Sequence, residues 1–142
     1  MNTPRSSGVL LLVSAPSGGG KTTVCTGLLA AHPGLRRVVT CTTRPPRAGE
    51  VDGVDYHFFG RGEFEARVAA GDFLEHAEVY GNRYGTLKES VRGLLRAGRD
   101  VLLNIDVQGA ASVRGAAAAE AELGAALVTV FLTPATRGEL EQ

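Results

Sequence analysis

Three apolar runs along the chain are continuous rather than alternating: residues 9–13 (VLLLV), 100–106 (DVLLNID) and 126–132 (ALVTVFL). Short uninterrupted runs bounded by turn residues suit strands buried on both faces of a parallel sheet. The segments between them change period. Residues 22–31 carry Val24, Leu28 and Leu29 at helical spacing and stop at HPG, 32–34. Residues 37–42 (RVVTCT) predict a second strand, after which the prolines and glycines of 43–56 (TRPPRAGEVDGVDY) exclude a helix. YHFF at 56–59 predicts a short strand. Residues 63–70 predict a short amphipathic helix with Phe64 and Val68 on one face, closed by Gly71, and FLEHAEVY at 73–80 predicts a further strand. Thr86 followed by Glu89 has the form of a capping box, predicting a helix to Gly98 through Leu87, Val91, Leu94 and Leu95. A helix from about residue 108 through the alanine run 116–119 precedes the last apolar run, and 133–142 (TPATRGELEQ) predicts the start of one more.

Strands alternating with helices imply an α/β fold with a parallel sheet core and helices on both faces. Residues 35–85 break the alternation, being strand-rich and aromatic-rich, and are read as a small mixed α+β subdomain inserted into a nucleotide-binding core. Composition sharpens this. A chain of 142 residues, 44% hydrophobic and 21% charged, has the profile of a globular domain with a real core. Fifteen basic and fifteen acidic residues cancel, so no overall field draws nucleic acid or an anionic membrane, and any anion site must be local. Cys25 and Cys41 lack the spacing of a zinc site or a disulfide framework and read as small buried hydrophobes. No apolar run approaches a membrane span. Arg5, VLLLV and SAPS imitate a secretory leader, but the apolar part is too short, so a cytoplasmic protein is expected.

The chemistry begins at SAPSGGGKTT, 14–23, between the first strand and the first helix. A glycine-rich loop in that context turns successive backbone N–H groups inward, and the helix adds its positive dipole end, which makes a phosphate cradle. Residues Ala15, Pro16, Ser17, Gly18, Gly19, Gly20, Lys21, Thr22 and Thr23 form the candidate cradle. Lys21 can reach β- and γ-phosphates, and the Thr22 hydroxyl is the candidate Mg²⁺ ligand. Ala15 stands where the strict pattern has glycine, at a turn that alanine can make. A nucleoside triphosphate is the expected ligand.

Arg44 and Arg47 lie three apart in the proline-stiffened loop, with Tyr56 soon after. Two guanidiniums in a rigid turn form a fork for a second phosphate, to which a tyrosine adds a hydrogen bond. Taken alone, the same arginines read as salt-bridge partners of Glu50, Asp52 and Asp55. His32, His57 and His76 have no ligand spacing.

SAPSGGGKTT, TTRPPRAGEVDGVDYHF, FLEHAEVYGNRYGT and NIDVQGA, in that order from residue 9 to about 132, resemble the guanylate kinase family. The resemblance implies a P-loop core, 1–34 and 87–142, an inserted GMP-binding subdomain, 35–86, and transfer of phosphate from Mg·ATP to GMP. It implies that Arg44, Arg47, Tyr56 and Tyr84 hold the GMP phosphate and that Glu75 reads the base with Thr40 and Thr86. A carboxylate accepts from guanine N1–H and N2–H₂, whereas adenine N1 presents a lone pair. Asp106, at the end of the strand, is placed like the acidic residue that steadies Mg²⁺ in P-loop enzymes, and with Lys21 forms the expected catalytic pair. Asn104 departs from the family, which is acidic there, and keeps only an amide at the guanine and metal environment. The resemblance also implies an arginine-bearing lid, a helix and a last core strand beyond residue 142, so this chain is expected to lack the lid arginines and to expose the edge of 126–132. Its expected partners are ATP and GMP alone. Two other readings are a non-catalytic binding module of guanylate-kinase-like type, in which the phosphate loop is degraded, and a P-loop kinase for a phosphorylated sugar, which has no use for Glu75 and Thr86.

Overall fold

The computed structural model describes residues 8–15 and 21–132, with the backbone alone at Lys21 and Thr22. The glycine-rich segment 16–20 and the helix expected over 133–142 lie outside the described residues. In chain order the elements are β1 (Leu10–Ser14), α1 (Lys21–Ala31), β2 (Leu35–Arg37), β3 (Cys41–Thr42), β4 (His57–Phe58), α2 (Arg61–Ala69), β5 (Phe73–Val79), β6 (Asn82–Leu87), α3 (Lys88–Arg96), β7 (Asp100–Asn104), α4 (Val107–Ala119), α5 (Ala121–Ala126) and β8 (Leu127–Phe131).

Among the described residues the core sheet runs β2-β7-β1-β8 with every pairing parallel. The continuous apolar runs of β1 and β7 are explained by burial on both faces. Leu10 and Leu12 of β1 pack with Val101, Leu103, Val91, Leu95, Val113 and Leu123, under α3, α4 and α5. Val13 and Leu102 pack on the other face against Cys25, Leu28 and Leu29 of α1. This is the expected α/β core with helices on both sides.

A second sheet, order β4-β3-β6-β5, draws its strands from 41–87. Its own apolar cluster joins Cys41, Phe64 of α2 and Phe73, the two phenyl rings stacked with centroids 4.5 Å apart.

Three sequence expectations change here. RVVTCT is not one strand: Leu35–Arg37 pairs with β7 in the core sheet and Cys41–Thr42 pairs with β4 and β6 in the other, so the segment crosses between sheets at buried Val38. FLEHAEVY is only half of an antiparallel hairpin whose second strand is β6. Tyr80 and Gly81 make its two-residue turn, both with positive φ, 50° and 80°, the conformation that matches strand twist. Thr86 does not cap a helix: it is the penultimate residue of β6, Leu87 occupies the N-cap of α3 without a side-chain bond, and the Thr86 hydroxyl is committed elsewhere. The short helix α5 also precedes β8 where none was expected.

Gly85 sits between the two β6 residues that matter below. A Cβ there would lie 2.8 Å from the Phe73 ring and 3.1 Å from the Glu75 carbonyl oxygen. Gly85→Ala is expected to lower stability by about 1–3 kcal/mol by overpacking; an unchanged urea midpoint would contradict this packing. β8 presents exposed Val128, Val130 and Phe131 and pairs, among the described residues, only with β1. Such an edge templates pairing with another chain. The 142-residue polypeptide is therefore expected to elute from a sizing column as concentration-dependent oligomers, which Val130→Lys reduces; a concentration-independent monomer argues against it.

Candidate functional site

Because β1 and β7 are parallel with Val13 opposite Asn104, their carboxyl ends lie side by side at the edge where open α/β sheets collect ligands. β1 ends in buried Ser14 and Ala15, and the backbone re-enters as α1 at Lys21. Of the cradle residues, Thr23 is exposed on the first turn of that helix.

β7 delivers Asn104 and Asp106. Asp106 is the N-cap of α4, its Oδ1 accepting from the Gly109 N–H at 2.7 Å, which satisfies one of the helix's free donors. Gly109 is there for space: a Cβ would lie 3.3 Å from both Asp106 Oδ1 and Glu75 Oε2. Its absence lets the Glu75 carboxylate, arriving from β5, approach the start of α4.

A register shift between Phe73 and Glu75 sets Glu75 opposite Thr86. Fully buried Thr86 donates its hydroxyl to Glu75 Oε1 at 2.8 Å. Burial raises the Glu75 pKa; the Thr86 hydrogen bond opposes the rise and the nearby Asp106 charge adds to it. No cation among the described residues contributes to this balance, so Glu75 is a partly buried acceptor with spare capacity.

A cavity of about 350 Å³ joins these elements, lined among others by Thr40, Glu50, Tyr56, Thr86 and Asn104. Asn104 Oδ1 is buried and makes no hydrogen bond among the described residues. An orphaned buried acceptor is costly and invites a donor from a ligand.

The loop after β3 supplies the positive charge. Arg44 is only 9% exposed. Its Nη1 and Nη2 donate to Glu50 Oε1 and Oε2, each at 2.9 Å, Nη1 also donates to the Pro45 carbonyl at 3.0 Å, and the guanidinium carbon lies 5.3 Å from the Tyr56 ring centre. The Tyr56 and Tyr84 rings meet edge-on at 6.2 Å. The Arg44 pKa is raised, first by the Glu50 hydrogen bond and also by the Tyr84 and Tyr56 hydroxyls. The ion pair suggested by the acidic neighbours is thus formed with Glu50, and it is partly buried. Arg47 is exposed and gives Glu50 Oε1 its backbone N–H at 2.7 Å.

Among the expected site residues, then, Thr40, Tyr56, Thr86 and Asn104 share the cavity wall, Arg44 and Tyr84 gather about Tyr56, and Glu75 joins through Thr86. The Arg47 side chain stays outside this cluster. Glu50 and Gly109 went unassigned in the sequence; six residues from Arg44, Glu50 was legible only as a salt-bridge partner. Cys41, beneath the site, has its thiol pushed up to about 12 by burial and offers no nucleophile at neutral pH.

Arg44 and the Arg47 N–H together hold the Glu50 pKa down to about 2. A depressed carboxyl stabilises the fold fully above its ordinary value near 4.5 and loses that contribution as pH falls through about 2. Carboxyl NMR titration is expected to find Glu50 still ionised at pH 3; a midpoint near 4.5 would show that the pair is absent in solution.

The family model described as guanylate kinase matches residues 7–142. A guanylate kinase of Clostridium perfringens is 50% identical over 135 residues, 95% of this chain and 59% of the relative. One of Neisseria gonorrhoeae is 57% identical over 109 residues, 77% of this chain and 53% of the relative. The crystal structure of guanylate kinase from Anaplasma phagocytophilum superposes with a TM-score of 0.65 at 34% identity, covering 96% of this chain and 65% of that one. The chain therefore spans less than two thirds of the length of these relatives.

Proposed function

This chain belongs to the guanylate kinase family, and on that premise we propose that the protein transfers the γ-phosphoryl group of ATP to GMP. The observation that carries the reading is a cavity whose wall includes Tyr56, packed against Arg44, and Thr86, which holds the half-buried carboxylate of Glu75, to which no described residue brings a cation. A nucleoside monophosphate has the same polarity, with phosphate at one end and base at the other.

In this reading 35–86 is the GMP-binding lobe, and 1–34 with 87–142 the core. Arg44, Tyr56 and Tyr84 take the GMP phosphate, joined by Arg47 when its exposed side chain turns inward. Glu75 accepts from guanine N1–H and N2–H₂, with Thr86 holding the carboxylate and Thr40 and Asn104 lining the same wall. Adenine would set the N1 lone pair against that carboxylate, a mismatch of about 1–3 kcal/mol, or roughly 10- to 100-fold in selectivity. Residues 15–23 hold the ATP phosphates, with Lys21 on the transferring group. A GMP phosphate oxygen then forms the new P–O bond as the bond from the γ-phosphorus to the β,γ-bridging oxygen breaks, giving ADP and GDP. No side-chain nucleophile is needed, since positioning and charge neutralisation carry the step.

The carboxylate of Asp106 and the orphaned oxygen of Asn104, both at the end of β7, are hard oxygen donors of the kind Mg²⁺ or its waters take, so the donor set fits the metal. With Thr22 they would hold it, and bound there it would offset phosphate charge. No helix among the described residues is long and apolar enough to cross a membrane, and we place the reaction in the cytoplasm.

The test is ADP release with Mg·ATP and each of GMP, AMP, CMP and UMP, in a protein of full family length beside the 142-residue chain. GMP is expected to be the preferred acceptor, and Glu75→Gln to reduce its preference over AMP by roughly 10- to 100-fold. Because the Glu75 pKa is raised, GMP affinity is also expected to fall more steeply on mild acidification in the wild type than in Glu75→Gln, where only the phosphate of GMP itself takes up a proton. Preference for another monophosphate defeats the reading.

A further inference from the structure

Glu50 has no part in the roles above, yet its carboxylate accepts three hydrogen bonds from the loop. Its Oε1 accepts from Arg44 Nη1 and the Arg47 N–H, and its Oε2 from Arg44 Nη2. A guanidinium carries five N–H donors in a fixed plane. The bonds to Glu50 and to the Pro45 carbonyl occupy both donors of Nη1 and one of Nη2. The remaining pair, Nε–H and the second Nη2–H, share one side edge, a fork that matches two oxygens of a phosphate.

Arg44 is almost wholly buried, so it needs a counter-charge whether or not a nucleotide is present. It also needs one orientation, since a guanidinium turned by one edge presents a different pair of donors. We propose that Glu50 is a positioning residue for the acceptor phosphate: it grips Arg44 by the Nη1–Nη2 end, and so turns the Nε–Nη2 edge, beside the Tyr56 and Tyr84 hydroxyls, toward the cavity. This rests on Arg44 being a phosphate ligand of the acceptor nucleotide.

Glu50 and the phosphate use different edges, so they bind Arg44 together rather than in turn. The same carboxylate ties the Arg47 backbone into the turn, which fixes the loop that carries both arginines. A glutamine of the same shape would set an amide NH₂ against at least one of the three N–H donors now meeting a carboxylate oxygen. The grip would be lost without removing bulk.

The test is a binding comparison with GMP and with guanosine, which lacks the phosphate, by NMR titration of the folded chain, folding being checked by thermal melting. Glu50→Gln is expected to weaken GMP about tenfold or more, the size of a lost charge-assisted hydrogen bond, and to leave guanosine within about twofold. In an Arg44→Ala background Glu50→Gln is expected to have almost no further effect, because its action runs through Arg44. Glu50→Asp, which keeps the charge but withdraws it by one methylene, is expected to recover part of the GMP affinity, and if Glu50→Gln does not fold it carries the same comparison. Unchanged or tighter GMP binding in the variant overturns the proposal, the second result marking Glu50 as a competitor. Equal losses for GMP and guanosine, or additive losses with Arg44→Ala, overturn it in favour of a merely structural role. A wild type that binds guanosine but gains nothing from the phosphate removes the assignment of Arg44 itself, and one that binds neither removes the whole functional reading.

Discussion

Strand β1 is paired in parallel on both sides, with β7 along Leu10 to Val13 and with β8 along Leu10 to Ser14. The rest of the molecule depends on that pairing. With Leu10 and Leu12 facing one helical layer and Val13 the other, the strand cannot shift by one residue without turning each side chain to the opposite face. Once β1 is fixed, the carboxyl ends of β1 and β7 must open at the same edge, and the chain that leaves each must turn there. One departure leads to residues 16–20 and α1, the other to Asn104, Asp106 and α4. Among the described residues, the candidate site gathers where the turn after β7 meets the hairpin of the second sheet.

Charge is handled differently around Arg44 and around Glu75, the two ends of the candidate site. At the Arg44 end positive and negative groups are matched, with a bidentate pair completed by a backbone N–H and aromatic faces. At the Glu75 end they are not: two carboxylates, Glu75 and Asp106, approach across Gly109 with a hydroxyl and a helix N–H as their relief. The first end is preorganised, its guanidinium held by Glu50 and the Pro45 carbonyl beside two tyrosine hydroxyls. The second is a set of acceptors awaiting donors, which is what a guanine edge supplies. In a chain whose formal charge sums to zero, such local imbalance is the whole of the electrostatic signal.

The sequence made the core legible because burial on both faces writes itself as uninterrupted apolar runs, as in β1 and β7; β8 carries such a run too, but pairs only with β1 among the described residues and is largely exposed. It was least legible where a partner decides the local structure. RVVTCT has strand propensity throughout, but Leu35–Arg37 follows β7 and Cys41–Thr42 follows β6, so no local pattern could mark the break. Thr86 has the signature of a helix cap, and its hydroxyl found a stronger acceptor eleven residues back, across the hairpin. β6 itself was hidden because its polar and glycine residues, Asn82, Arg83 and Gly85, read as loop. Asp106 stood out in the sequence as a carboxylate ending an apolar strand, but its place as the N-cap of α4 emerges only from the structure; Glu75 was placed by resemblance, and its half-buried setting emerges only from the register of the hairpin.

If one site recognises both ends of a guanine mononucleotide, the phosphate beside Arg44 and the base beside Glu75 bind as a unit. Backbone amide shifts of the labelled chain, followed as GMP is added, test this. Signals from Arg44 and Tyr84 and signals from Glu75, Thr86 and Gly109 are expected to move together along one saturation curve, and AMP to move the first group but scarcely the second. Movement confined to the arginine loop, reproduced equally by AMP or by inorganic phosphate, would contradict it.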